Sequence, residues 1–271
     1  MFDPSSPFLT PSDPLSPIPK TTFAEDRLKT ALLLCELEPG TVATEVDIAQ
    51  RFGLGRAATR VALARLSALG LVHPIPRQGW KVLPISGALI GQVIGARRLA
   101  EPGLAQTVLS PPQIARLHEL ATMIDVLGRN RDAGAQSSRR GYEREFLEMT
   151  ADGLNPLIAT YLRTLWDHSA RILHYLEKVG GDILPDIEAT ALAEAFAARD
   201  TGRIIALRQD ALDTFEAFCT AALLRDPTEL GARAPSHASS GQAGTLPADP
   251  HPAGADRKAH PATHQDKRTE T

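Results

Sequence analysis

The chain has 271 residues, with 29 Lys and Arg against 32 Asp and Glu, a formal charge of −3 and a hydrophobic content of 43%. No apolar run approaches the roughly 18–20 residues of a membrane span, and no basic segment followed by an apolar stretch opens the chain, so neither a transmembrane protein nor a secretory signal is expected. The cysteines, Cys35 and Cys219, lie far apart inside helical patterns, which excludes a disulfide framework or thiolate metal knuckle and fits a cytoplasmic protein.

Many of the 21 prolines crowd the two ends. Neither end has the apolar periodicity needed to offset the entropy of ordering it, so residues 1–21 and 227–271 are expected to be disordered. Between them the charge is uneven. From Arg27 to Val82 eight basic residues (Arg27, Lys29, Arg51, Arg56, Arg60, Arg65, Arg77, Lys81) face four acidic ones (Glu36, Glu38, Glu45, Asp47), whereas 83–226 carries 15 basic against 19 acidic. Local charge is what attracts phosphate, so a bulk value near neutrality does not exclude nucleic acid.

In chain order, Thr22-Phe-Ala-Glu25 has the form of a capping box, and Leu28, Ala31, Leu32 and Cys35 repeat on one helical face as far as Leu37. Pro39-Gly40 stops this helix. Thr44-Glu-Val-Asp47 starts a short second helix, Gly53-Leu54 makes a tight turn, and a third helix runs from about Arg56 to Leu69, with Gly70 as its left-handed cap. Leu71–Ile75 and Trp80–Leu83 then read as two strands of a hairpin. This order is that of a winged helix–turn–helix, expected over residues 22–85.

The chemistry is expected on the third helix. Thr59, Ala62, Leu63 and Leu66 form its inward stripe, with Thr59 also at the edge of the DNA-facing set. Arg56 and Arg60 stack four residues apart, about 6 Å along the axis. An Arg fork can bond both acceptors on a guanine edge, and the N-terminal end of such a helix is where these proteins read bases. Arg51, Arg65 and Lys81 are placed to touch phosphate; Arg77, at the hairpin tip, to enter the minor groove, with Gly79 allowing close backbone approach. Two arginines on an exposed face are by themselves only a solvated face; the helix–turn–helix spacing, basic local charge and Gly-tipped hairpin single them out.

The stretch LEPGTVATEVDIAQRFGLGRAATRVALARLSALGLVHPIPRQGWKVLPI resembles the DNA-binding domain of the GntR family of bacterial transcription regulators. The resemblance rests on Pro39-Gly40, Glu45, Ile48-Ala49, Phe52-Gly53, Arg56, Arg60, Ala62-Leu63, Leu66, Gly70-Leu71-Val72, Arg77, Gly79 and Val82. The family usually has Ser before the first Arg, Thr-Pro-Val after it and Glu after the second. Here these positions hold Gly55, Ala57, Ala58, Thr59 and Val61, so a different operator is implied.

Residues 86–226 read as an all-helical antiparallel bundle. The expected segments are Ser86–Leu109 (bent near Pro102), Pro111–Gly128, Ser137–Asp152, Asn155–Val179, Pro185–Arg199 and Thr201–Arg225. ARRLAEPGLAQ, YEREFLEMTADGLNPLI and AFAARDTGRIIALRQDAL are similar, more loosely, to the FCD effector domain of the FadR subfamily. Many such domains hold a divalent metal with an Asp and three His. The matching positions here are Glu143, Leu147, Ala189 and Ala211, three of which cannot coordinate, so no metal and no cofactor is expected. A one-residue shift would bring Glu188 and Asp210 alongside Glu143 as a rebuilt site. His168 and Asp167 read as solvent-facing or satisfied bundle residues.

Arg97, Glu143 and Asn155 are the candidate effector contacts. The alternative for Arg97 is a pair with Glu101 at i, i+4; for Asn155 it is a helix N-cap before Pro156. The resemblance implies a dimeric repressor that binds a palindromic double-stranded operator and responds to a small molecule, with no membrane partner. A ligand-independent DNA-binding regulator, whose bundle serves only dimerisation, is the alternative. An enzyme is not expected: there is no Gly-rich phosphate loop, nucleophile elbow or His/Cys/carboxylate constellation.

Overall fold

The computed structural model describes residues 19–130, 132–185 and 187–225, so the proline-rich ends lie almost wholly outside the described residues. The first helix, α1 (Lys20–Leu33), buries Ala24, Leu28, Ala31 and Leu32. It begins earlier than the Thr22 box implies. Pro19 stands at its N-cap without a side-chain cap bond, and the Phe23 amide already donates to the Pro19 carbonyl at 3.0 Å. It also ends four residues before Leu37. Cys35 takes a left-handed φ of 52°, and the Glu36 and Leu37 amides turn back onto the Ala31 carbonyl at 2.8 and 3.2 Å.

Thr44 caps α2 (Glu45–Arg51) with Asp47 in a reciprocal capping box, as its spacing implies. After the turn at Gly53, α3 (Arg56–Ala68) buries Thr59, Ala62, Leu63 and Leu66. Gly70 adopts φ 70° and reverses the chain into β2 (Val72–Ile75), which pairs antiparallel with β3 (Gly79–Val82). A further strand, β1 (Val42–Ala43), pairs with the other edge of β3, giving the sheet order β1-β3-β2. Two residues are too few to leave an alternating pattern in the sequence. These elements, residues 20–82, form a winged head with its own apolar cluster.

The bundle follows. Helix α4 (Gly87–Ala100) is capped by Ser86 and passes into a 3₁₀ turn, Glu101–Gln106, where the sequence suggested one bent helix to Leu109. Pro102 is the reason: it has no N–H to continue the ladder. Helices α5 (Pro111–Gly128), α6 (Ala133–Ala151), α7 (Pro156–Gly180), α8 (Ala189–Ala198) and α9 (Thr201–Arg225) complete it. Helix α6 starts four residues before Ser137 because the Asp132 carboxylate caps the Ala135 amide at 2.8 Å. Helix α8 starts at Ala189 rather than Pro185. One apolar cluster joins α5, α6, α8 and the 3₁₀ turn to the first half of α7; another joins α4 and α9 to its second half.

Polar contacts from α7 tie the head to the bundle. Asp167 pairs with Lys29 of α1 at 2.6 Å, and the His168 Nε2 lies 3.1 Å from the carbonyl of Leu69, the C-cap of α3. Arg171 donates to the Leu83 carbonyl, while the Cys35 Sγ lies 3.8 Å from the Arg171 carbonyl.

The wing depends on Gly79. Its φ is 112°, and a Cβ there would sit 2.5 Å from the Ala43 carbonyl oxygen, a backbone atom of β1 that cannot swing aside. Gly79→Ala is expected to destabilise the protein by about 1–3 kcal/mol, read by urea unfolding, with amide protection lost first at Val42–Ala43.

Candidate nucleic-acid interface and effector cavity

On the head, Arg56 opens α3 with an exposed side chain that makes no hydrogen bond or ion pair among the described residues. Arg60, one turn later, has a side chain 73% exposed, and its Nε donates to Glu45 Oε2 at 2.8 Å. The other Glu45 oxygen accepts from Trp80 Nε1 of β3 at 3.3 Å. Glu45 therefore joins the start of α2, the middle of α3 and the wing, leaving the Nη atoms of Arg60 directed by a fixed Nε. Its part was not legible from charge or periodicity, because Glu45 lies 15 residues from Arg60 and 35 from Trp80.

The other head residues divide. Arg77 is exposed at the wing tip with φ 65°, and Lys81 is half-buried on the central strand. Arg51 donates to the Glu36 carbonyl at 2.6 Å and stands over the Phe52 ring; Arg65 pairs with Glu25 at 2.7 Å. Both are exposed, so these contacts cost little to break on meeting phosphate. One expectation needs correction: Thr59 is fully buried in the head core and belongs only to the inward stripe, not to the DNA-facing set. Within the chain, the close approach that Gly79 permits is to Ala43.

In the bundle, a cavity of about 730 Å³ is lined by α4, α6, α7 and α9 and by Leu33 and Leu34 at the end of α1. Two of its basic side chains, Arg97 and Arg208, are buried and converge on one carboxylate, Glu101, itself 2% exposed. Glu101 Oε1 accepts from Arg97 Nε at 2.6 Å and Trp166 Nε1 at 2.9 Å; Oε2 accepts from Arg208 Nε and Nη2 at 3.1 and 2.8 Å. Burial alone would push the Glu101 carboxyl up, but Arg208, Arg97 and the hydrogen bonds from Arg97 and Trp166 outweigh it and hold it at about 2. Arg97 also donates to Ser169 Oγ at 3.2 Å and lies over the Phe215 ring. Its i, i+4 pair with Glu101 is thus formed, and it lines the cavity as well.

Glu143 is buried on the cavity wall, 3.1 Å from Arg140 and 3.6 Å from Arg139. Asn155 is exposed, accepts the Leu157 amide at 3.0 Å as the N-cap of α7 and does not line the cavity, so the cap reading replaces the effector role. Leu147 and Ala211 line the cavity, while Ala189 is buried in the core. Glu188 and Asp210 are exposed, and no group of three or more potential ligands among the described residues is arranged to hold a metal, so the rebuilt site is not assembled. Asp167 and His168 are buried, not solvent-facing: Asp167 pairs with Lys29 of the head and Arg144 of α6, and His168 meets the Leu69 carbonyl through Nε2 while its buried Nδ1 has no partner among the described residues. Arg208 carried no sequence signal, since it meets Glu101 across 107 residues.

The head is a winged helix–turn–helix. Residues 20–82 match the family of bacterial regulatory proteins, gntR family. The head therefore resembles the DNA-binding module of that family. A 62-residue segment is 40% identical to YieP of Escherichia coli (strain K12), an uncharacterized HTH-type transcriptional regulator; the match covers 22% of this chain and only 27% of that protein. Two solved structures share the wider fold. E. coli McbR/YncC aligns over 76% of this chain and 99% of its own at 20% identity, with a TM-score of 0.60. A crystal structure of a GntR transcriptional regulator from Rhodococcus sp. RHA1 aligns over 75% and 98% at 19% identity, with a TM-score of 0.58. Among the described residues no helix is long and apolar enough to cross a membrane.

Replacing Glu101 by Gln leaves Arg97 and Arg208 buried without a counter-charge and is expected to cost about 3–5 kcal/mol at neutral pH. Because the Glu101 carboxyl lies lower in the folded state, its contribution is present above about 4.5 and lost as pH falls towards about 2. Urea titrations of both proteins across that interval should show the wild-type advantage shrinking, with a flatter acid limb for the variant.

Proposed function

We propose that the chain is a sequence-specific transcription regulator, a repressor of the FadR type within the GntR family, whose bundle responds to a small-molecule effector. The proposed division is a DNA-binding head at residues 22–85 and an effector-binding and dimerisation region at 86–226. Two heads in a homodimer in the cytoplasm would engage the half-sites of a palindromic operator, doubling the contacts. The observation that carries this reading is Arg60, exposed on α3 with its Nε held by Glu45, one turn after the unpaired and exposed Arg56. Arg56 and Arg60 read base edges; Arg51, Arg65 and Lys81 meet phosphates; Arg77 enters the minor groove from the wing tip.

Binding is tested by footprinting the promoter of the chain's own gene, then fluorescence anisotropy on the protected site. Arg60→Ala is expected to lose about 1–3 kcal/mol of affinity and relax one base position; Arg65→Ala is expected to weaken all sequences alike and lower the salt slope by about one. Full affinity and unchanged base preference in Arg60→Ala would remove it from the recognition set.

For the effector, the supporting observation is the cavity itself, with two buried arginines sharing one carboxylate at its wall. Arg97 and Glu143 are the effector contacts, with no metal or other cofactor. The ligand-independent alternative draws on the same network, because Arg97, Arg140, Arg144 and Arg208 each already hold a carboxylate within the protein. A thermal-shift screen with small carboxylates, acyl-CoA thioesters and divalent metals separates the two. A ligand-specific rise that Arg97→Met abolishes supports the effector; no rise with any compound supports the alternative.

A further inference from the structure

Helix α7 has two working faces. Trp166, Ser169, Leu173 and His174 line the cavity, while Asp167, His168 and Arg171 hold the head. The faces meet at Asp167. Its side chain is 5% exposed, with Oδ2 2.6 Å from Lys29 Nζ of α1 and Oδ1 2.9 Å from Arg144 Nη1 of α6. Arg144 is itself a cavity-lining residue and lies over the Trp166 ring. Two cations, one on the head and one on the cavity wall, thus share a single buried carboxylate.

We propose that Asp167 is the joint through which the state of the cavity reaches the head, with Arg144 and Lys29 competing for its charge. Two like charges on one counter-ion weaken each other's hold, because each neutralises the field the other sits in and repels it directly. An anion in the cavity that draws Arg144 away leaves the Asp167 charge to Lys29 and clamps the head onto α7. Lys29 lies on α1, which packs on α3, and the next α7 residue, His168, meets the C-cap of α3, so the clamp fixes the orientation of the recognition helix. Reciprocally, a head held in the docked position favours the anion-bound cavity. The regulatory use of this joint rests on the effector reading; the competition at Asp167 does not.

The chain carries its own reporters. Cys35 is buried beside the Arg171 carbonyl, where head and bundle meet, and Cys219 is buried in the bundle core. Burial pushes the Cys35 thiol up, and that of Cys219 up to about 12, so both resist alkylation while packed. Undocking of the head exposes Cys35 alone; global unfolding exposes both.

The test is a double-mutant cycle read by iodoacetamide labelling of each cysteine, resolved by peptide mass spectrometry, without DNA or ligand. Lys29→Met is expected to accelerate Cys35 labelling about tenfold, the factor that corresponds to about 1.4 kcal/mol, with Cys219 unchanged. Arg144→Gln is expected to slow Cys35 labelling. In the Arg144→Gln background the Lys29→Met effect should grow several-fold, and in an Asp167→Asn background this coupling between positions 29 and 144 should vanish. Independent effects of Lys29→Met and Arg144→Gln, coupling that persists without the Asp167 carboxylate, or Cys219 accelerating in step with Cys35 would each overturn the proposal. Since neither operator nor effector enters the experiment, its failure leaves the functional reading standing, and a failed ligand screen leaves the joint standing.

Discussion

Taking a carboxylate out of water costs several kcal/mol, and the bundle accepts that cost at Glu101 because four donors from three separate segments surround it. Arg97 comes from α4, Trp166 from α7, and Arg208 supplies two nitrogens from α9. These helices enclose the cavity, so the charge that orders the bundle also sets the character of its wall. The arrangement carries one more positive than negative charge, beside the cavity that Arg97 and Arg208 line. Apolar packing around it supplies most of the burial, but packing is tolerant of exchange, whereas a buried counter-ion admits few alternatives.

The same principle operates at smaller scale on the head. Glu45 holds Arg60 on one oxygen and Trp80 on the other, so an exposed arginine of α3 and the wing are oriented by one carboxylate. An exposed arginine otherwise keeps its rotamer freedom and loses it on binding. Fixing the Nε beforehand reduces that loss and limits the directions in which the remaining guanidinium donors point. Asp167 completes the set. It stands between Lys29 and Arg144 and makes the contact between head and bundle depend on a charge that the cavity can influence.

The polar character of the head–bundle contact has a consequence for motion. The head keeps its own apolar cluster, separate from the two in the bundle. Separating the two bodies therefore exposes an ion pair, a few carbonyl contacts, the Cys35 thiol and the edge of the cavity formed by Leu33 and Leu34 rather than a continuous core. Such contacts are cheaper to break than a hydrophobic interface of similar extent.

Much of the head was legible in the residues. Thr44 and Asp47 at capping-box spacing, Gly70 after the last apolar residue of α3 and the Arg56–Arg60 pair all act over one or two helical turns, where sequence separation and spatial separation agree. Most bundle helix ends followed from the same local signals. Local reading misplaced Thr59, because a stripe residue at the edge of a face is assigned to core or surface only by what packs on it. It also gave no sign that Gly79 packs against a strand of two residues. Only the tertiary structure could join Glu101 to Arg208, Glu45 to Trp80 and Asp167 to Lys29. Those partners lie tens to more than a hundred residues apart, and a charge in a sequence carries no mark of which opposite charge the fold will bring to it.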